Sequence, residues 1–202
     1  MAELVGEPGP LPVGSKGHKA SGWWGMWMMI LTEASLFAYL LFSYAYLGMQ
    51  SHGGWVPELP KLQIALPNTV LLVASSLVLY WGESGIKKGK TGRLVAALAL
   101  TLLMGAVFAG LQGLEWHNKK YGPDADAYAS SYFMTTGFHM AHVIGGLLMI
   151  AALLLWAAMG KFNAQRHAAV SIGALYWHFV DVVWLAVFAT FYISPYLVSR
   201  HG

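Results

Sequence analysis

The sequence predicts an all-α polytopic membrane protein: a bundle of five transmembrane helices, N-terminus inside and C-terminus outside. Three observations lead there. Of 202 residues, 57% are hydrophobic and only 10% are charged, against about 25% charged in average soluble proteins. The apolar residues come in five long blocks, each near the ~20 residues that a helix needs to cross a bilayer. Lys and Arg are divided unequally between the two sets of connecting loops: eight of the twelve fall on one side.

Residues 1–20 precede the first block. The stretch "MAELVGEPGPLPVGSKGHKA" is rich in Gly and Pro and has no apolar core of the kind a secretory signal requires. It reads as an extended N-terminal arm. The first span covers about 22–49, with Glu33 as its single charge. The second covers about 62–83 and is uncharged as far as Trp81; Pro67 sits in its first turns, where a missing N–H costs little. The third covers about 94–116 and is uncharged as far as Leu114. Within it Gly105, Ala109 and Gly113 recur at i, i+4, i+8, a stripe that lets a neighbouring helix approach closely. The fourth, about 128–159, has no Asp, Glu, Lys or Arg, and the fifth, about 168–198, has only Asp181. Both exceed the bilayer requirement, so they are expected to tilt or protrude. Residues 21–202 thus form one membrane domain. Trp23, Trp24, Trp27, Trp55, Trp81 and Trp116 lie near span ends, where tryptophan anchors helices at the interface.

Orientation follows from the basic residues. Lys16, Lys19, Lys87, Lys88, Lys90, Arg93, Lys161 and Arg166 share one side; Lys61, Lys119, Lys120 and Arg200 share the other. The first side is therefore assigned to the interior. The cluster Lys87, Lys88, Lys90 and Arg93 would then face the inner leaflet, as a positive-inside signal or as a set of contacts to anionic lipid headgroups.

Cysteine is absent, so disulfides, thiolate metal sites and cysteine nucleophiles are excluded. No HExxH, phosphate-binding glycine loop or GxSxG elbow occurs. The chemistry that remains lies in polar residues inside the spans. At ~1.5 Å rise per residue, Glu33 is about 16 Å from the nearer end of its span, His139 and His142 about 16–21 Å, and His178 and Asp181 about 15–20 Å. All five therefore fall near the midplane of a ~30 Å hydrocarbon core. His139 and His142 are three residues apart and share a helix face, as do His178 and Asp181. Charge at that depth is costly, so these side chains are expected to turn inward and satisfy one another. Glu33 is expected within hydrogen-bonding reach of a histidine, His178 first and His142 second. Three readings of the cluster stand side by side: a polar lock between helices, a proton-handling or lipid-contacting site, and ligation of a metal or haem by histidines from different helices.

Beyond these residues lies a resemblance. "TGFHMAHVIGG" (136–146) followed by "YWHFVDVVWL" (176–185) resembles subunit III of the haem–copper cytochrome c oxidases. "ILTEASLFAYL" (30–40), "PNTVLLVASS" (67–76) and "LQGLEW" (111–116) match further segments in chain order, the last placing Gln112 and Glu115 as secondary polar residues. The resemblance runs from about Trp23 to the C-terminus. It implies a short, five-helix form, without the two N-terminal helices that frame a phospholipid cleft in longer members. It also implies a non-catalytic core subunit: no metal and no cofactor in this chain, haems and copper in partner subunits, direct packing on subunit I, subunit II nearby, and membrane lipid as a further contact. Glu33 would be its reactive buried carboxyl, supporting proton uptake and durability during turnover in a bacterial cytoplasmic membrane. A subunit III-like component of a quinol oxidase or nitric oxide reductase would share the same bundle. A stand-alone haem b membrane cytochrome is the more distant alternative.

Overall fold

The computed structural model describes residues 21–51, 54–57, 59–60 and 62–198. The N-terminal arm, including Lys16 and Lys19, lies outside the described residues, as do Lys61 and Arg200. The described residues are helical, with no strand among them. Five long helices run α1 (Ser21–Gln50), α2 (Leu62–Ile86), α3 (Thr91–His117), α4 (Ala127–Ala158) and α5 (Ala168–Phe188). α5 continues through a π-helical turn, Ala189–Ile193, into α6 (Ser194–Val198). Five stretches are long and apolar enough to cross a membrane, the last being the joined Ala168–Leu197.

Local chemistry accounts for the ends. α2 and α4 stop in the same way. Lys90 N–H reaches back to Gly85 O and Gly89 N–H to Ile86 O; Lys161 N–H reaches Trp156 O and Gly160 N–H reaches Ala157 O. This pair of bonds closes a helix around a residue at positive φ, and Gly89 (+73°) and Gly160 (+71°) supply it without a Cβ penalty. α4 begins on Asp126, whose carboxylate accepts from Ala129 N–H at 2.7 Å. Near the end of the fifth span Ser194 N–H bonds back five residues to Ala189 O. Pro195 follows at once; it has no N–H and crowds the carbonyl four residues back, which favours the wider turn. The extra residue swings Phe191 and Tyr192 into the interior, where both are fully buried.

The helices do not share the core equally. α2 lies along α3, α3 along α4, α4 along α5, and α5 also contacts α2, while α1 rests mainly against α4 and α5. The most apolar stretch of the fifth span is 56% buried and that of α1 only 11%, so α5 is the axis of the bundle and α1 an outrigger. α5 is fixed by two indoles one heptad apart. Trp177 donates to Ser75 Oγ and Trp184 to Thr69 Oγ1, each at 3.0 Å, and both indoles are fully buried. These residues sit in the "YWHFVDVVWL" stretch, and their bonds give α2 and α5 a fixed register.

The predicted small-residue stripe on α3 is only partly used. A Cβ on Gly105 would meet Leu147 Cδ2 at 2.7 Å and Trp177 Cη2 at 2.8 Å, whereas one on Gly113 would meet nothing within 4 Å. Ala109 is half-buried against the core. The stripe therefore marks one close approach, where the Trp177 indole occupies the space a side chain would need, rather than a seam along the whole helix.

Candidate functional site

The sequence places five polar side chains at one depth; the structure separates them around the bundle. Glu33 and His142 meet between α1 and α4, with His142 Nε2 3.1 Å from Glu33 Oε2. His142 Nδ1 lies 2.7 Å from Phe138 O, one turn back on its own helix. A backbone carbonyl only accepts, so Nδ1 must carry a proton. The contact between Nε2 and Oε2 then needs one further proton. With it on nitrogen the pair is imidazolium and carboxylate; with it on oxygen, imidazole and carboxylic acid. Both forms have zero net charge, which lowers the cost of placing two titratable groups within membrane-crossing stretches. Phe37 stacks edge-on against the His142 ring at 5.2 Å. The side chains are 28% (Glu33) and 14% (His142) exposed, so the pair opens toward the outside of the bundle. His142, the second expectation, is thus the histidine at Glu33, and His178, the first, is not.

His178 and Asp181 face α2 instead. His178 lies within electrostatic range of Glu83. Glu83 itself accepts from Ser171 Oγ at 2.8 Å and pairs with Lys87 at 2.7 Å. Asp181 is buried beside Ser76 on α2, the polar side chain it interacts with. The 100° step of the helix explains the separation: His178 and Asp181 share a face, but that face of α5 looks at α2 while α1 lies on another side. His139 stands apart from both groups. It is fully buried, its ring 4.9 Å from Trp184, 6.1 Å from Phe108 and 6.4 Å from Phe37. Matched depth, counted along each span, carries no information about azimuth.

The densest polar cluster lies where α3 ends. Glu115 Oε1 accepts from Tyr192 OH at 2.7 Å and from Tyr132 OH at 3.1 Å, and the two phenolic oxygens are 2.9 Å apart. The Gln112 amide donates to Tyr132 OH at 3.5 Å. Lys119 Nζ is 3.5 Å from Glu115 and lies 4.6 Å over the Tyr132 ring. Glu115 and Gln112 were visible in "LQGLEW"; the tyrosines that complete the cluster were not singled out. The signal was available: Tyr132 is five residues into α4 and Tyr192 six residues before the end of α6, the depth at which Glu115 closes α3. Tyrosine near a span end reads as an interfacial anchor, which masks a buried role.

The basic cluster is also partly internal. Lys87 is held by Glu83, while Arg93 donates to Ser84 Oγ at 2.9 Å and lies 4.3 Å over the Trp81 ring. Arg93 therefore braces the α2–α3 turn, while Lys87, Lys88 and Lys90 are exposed. Among the described residues no group of three or more His, Cys, Asp or Glu side chains converges as a metal site would require.

The arrangement can now be set beside known proteins. The sequence model described as cytochrome c oxidase subunit III matches residues 15–196. The chain belongs to the cytochrome c oxidase subunit III family. It is 36% identical over 174 residues to the cytochrome c oxidase subunit 3 of Thermostichus vulcanus, covering 84% of this chain and 85% of that one. It is 38% identical over 173 residues to a probable cytochrome c oxidase subunit 3 of Nocardia farcinica, covering 83% and 85%. Against the cytochrome c oxidase subunit 3 of Oncorhynchus clarkii the identity is 32% over 177 residues, covering 84% of this chain and 68% of the relative. Family membership and five membrane-crossing stretches together make it a membrane subunit of an oxidoreductase complex.

Proposed function

We propose that this subunit III is a non-catalytic core component of a proton-pumping cytochrome c oxidase. In this reading the haems and copper reside in partner subunits, and the chain packs directly on subunit I in a bacterial cytoplasmic membrane, with subunit II nearby. The N-terminus lies inside, as the distribution of Lys and Arg favours. The observation that carries the proposal is the Glu33–His142 pair. It is a neutral, one-proton pair near mid-membrane, on the least buried helix, and open to the outside of the bundle. Such a pair holds a proton without requiring net charge in lipid, and its exposed edge offers a polar handle to whatever covers it. The rest of the molecule supports a scaffold. Trp177, Trp184 and the Glu115 cluster tie α2, α3, α4 and α5 into a fixed frame. Exposed Lys88 and Lys90 suit contacts to phospholipid headgroups at the frame's Glu83 end.

The test uses the intact oxidase complex, captured through a tag on this chain. Glu33→Ala is expected to leave the haem absorption bands unchanged while activity decays faster during sustained turnover and proton uptake falls. A haem band lost in that variant, or haem bands in the purified chain alone, would contradict the proposal.

A further inference from the structure

Between the Glu115 cluster and the Glu33–His142 pair lies a level of the bundle rich in buried polar groups without protein partners. Four side chains on α2, α3 and α4 lie at this level, linked through Phe108 and Tyr132. Asn68 gives its amide N–H to Phe108 O at 3.3 Å, but its Oδ1 accepts nothing among the described residues. Gln112, one turn beyond Phe108, gives its amide to Tyr132 OH and leaves Oε1 without a donor. Thr135 Oγ1 makes no bond, and neither do both ring nitrogens of His139, one turn further along α4. All four residues are at most 1% exposed. Phe108 and Trp184 line the same level: their rings are 4.9 Å apart, and each packs against the His139 ring.

A buried acceptor or donor left unpaired forfeits its hydration with no return, and native interiors almost always provide a partner. One such atom is commonplace. Five on four neighbouring residues, at a level where the Thr69, Thr136 and Tyr132 hydroxyls and the Trp184 indole are all paired, is a site. Neutral histidine makes the inventory specific: one ring nitrogen must donate and the other accept. Asn68 Oδ1 and Gln112 Oε1 only accept, and Thr135 Oγ can do both. A ligand that serves this set must be small, neutral and both donor and acceptor. Water meets all three conditions, and buried water characteristically bridges two to four such groups. We infer that ordered water is bound between Asn68, Gln112, Thr135 and His139. Through Gln112 this water joins the Tyr132–Tyr192–Glu115 cluster, so solvent reaches the aromatic level beside His139 from the Glu115 end of the bundle. The site is separate from the Glu33–His142 pair: both nitrogens of His142 are occupied elsewhere, and the Phe37 ring stands against both histidines.

Hydroxyl-radical footprinting of the intact oxidase complex tests this, because bound water is itself the source of the radical. After equilibration in oxygen-18 water, Phe108 and Trp184 should acquire labelled oxygen several-fold faster than Trp177. All three are fully buried, but Trp177 gives its indole N–H to Ser75 Oγ and packs at Gly105 and Gly146, the latter two turns from His139 along α4. In Asn68→Leu/Thr135→Val the labelling at Phe108 and Trp184 should fall several-fold, with Trp177 unchanged. If the double variant does not assemble, Thr135→Val alone and the wild-type ratio decide. Equal labelling of the three residues in the wild type would overturn the inference. So would labelling that is indifferent to the substitutions, or a density map of the complex in which Thr135 Oγ bonds to its own helix carbonyl and His139 to a protein group.

Discussion

The sharpest consequence of the Glu33–His142 contact is that the two residues are coupled energetically. Glu33→Leu removes the carboxyl and keeps the position apolar; His142→Leu does the same for the ring. Either change alone breaks the 3.1 Å contact. The pair as a whole carries no net charge, and either substitution removes one partner of a single contact. The loss is therefore a hydrogen bond rather than an uncompensated ion. Measured side-chain hydrogen bonds between membrane helices average about 0.6 and reach about 1.7 kcal/mol. Partial exposure of the pair argues against a value above that range. A double-mutant cycle in detergent unfolding should therefore give a coupling of about 0.6–1.7 kcal/mol, with the second substitution costing less in the presence of the first. Glu33→Gln should retain part of the coupling, since its amide can donate to Nε2 while Nδ1 stays on Phe138 O. Additivity of the two leucine substitutions within about 0.3 kcal/mol would refute the contact as an interaction that matters.

Three further outcomes follow from the packing. Gly105→Ala should lower the thermal midpoint in detergent, because its Cβ would fall on Leu147 and the rigid Trp177 indole. Gly113→Ala, with open space around it, should leave the midpoint unchanged or raise it by the equivalent of about 0.5–1 kcal/mol. Glu115→Gln replaces the charged acceptor shared by Tyr132 and Tyr192, and should cost about 1.5–3 kcal/mol of unfolding free energy. Tyr132→Phe and Tyr192→Phe should be markedly non-additive with it in the same assay. Ser75→Ala leaves the Trp177 indole N–H without its acceptor. The indole hydrogen-bond marker in the Raman spectrum should shift toward the unbonded position for one tryptophan, at a stability cost of about 1–2 kcal/mol.

Much of this was legible in the sequence, for identifiable reasons. The five helices followed from block length and composition, because a bilayer leaves few alternatives to a helix. The depth of the intramembrane histidines and acids followed from counting residues. Which of them touch did not, since a residue's angle around its helix is set by neighbours that no single segment encodes. His142, not His178, faces Glu33 because α1 lies on α4 and α5 while the His178–Asp181 face of α5 turns to α2. The Glu115 cluster was half legible, its tyrosines indistinguishable by type from interfacial anchors. The π turn was unreadable from periodicity, although Pro195 stands beside it. Arg93 reads as a positive-inside signal or a headgroup contact; that its guanidinium also lies over Trp81 and bonds Ser84 depends on how α3 packs on α2, which the segment alone does not encode.

The account rests on one proton held between His142 and Glu33. Nitrogen-15 magnetic resonance of ring-labelled histidine in the intact complex reads it directly, with His142→Leu identifying the signal. The predicted result is a protonated Nδ1 in all variants that retain His142, and an Nε2 resonance that moves on Glu33→Leu. An Nε2 resonance that ignores Glu33→Leu, or a His142 ring with a bare Nδ1, would contradict it.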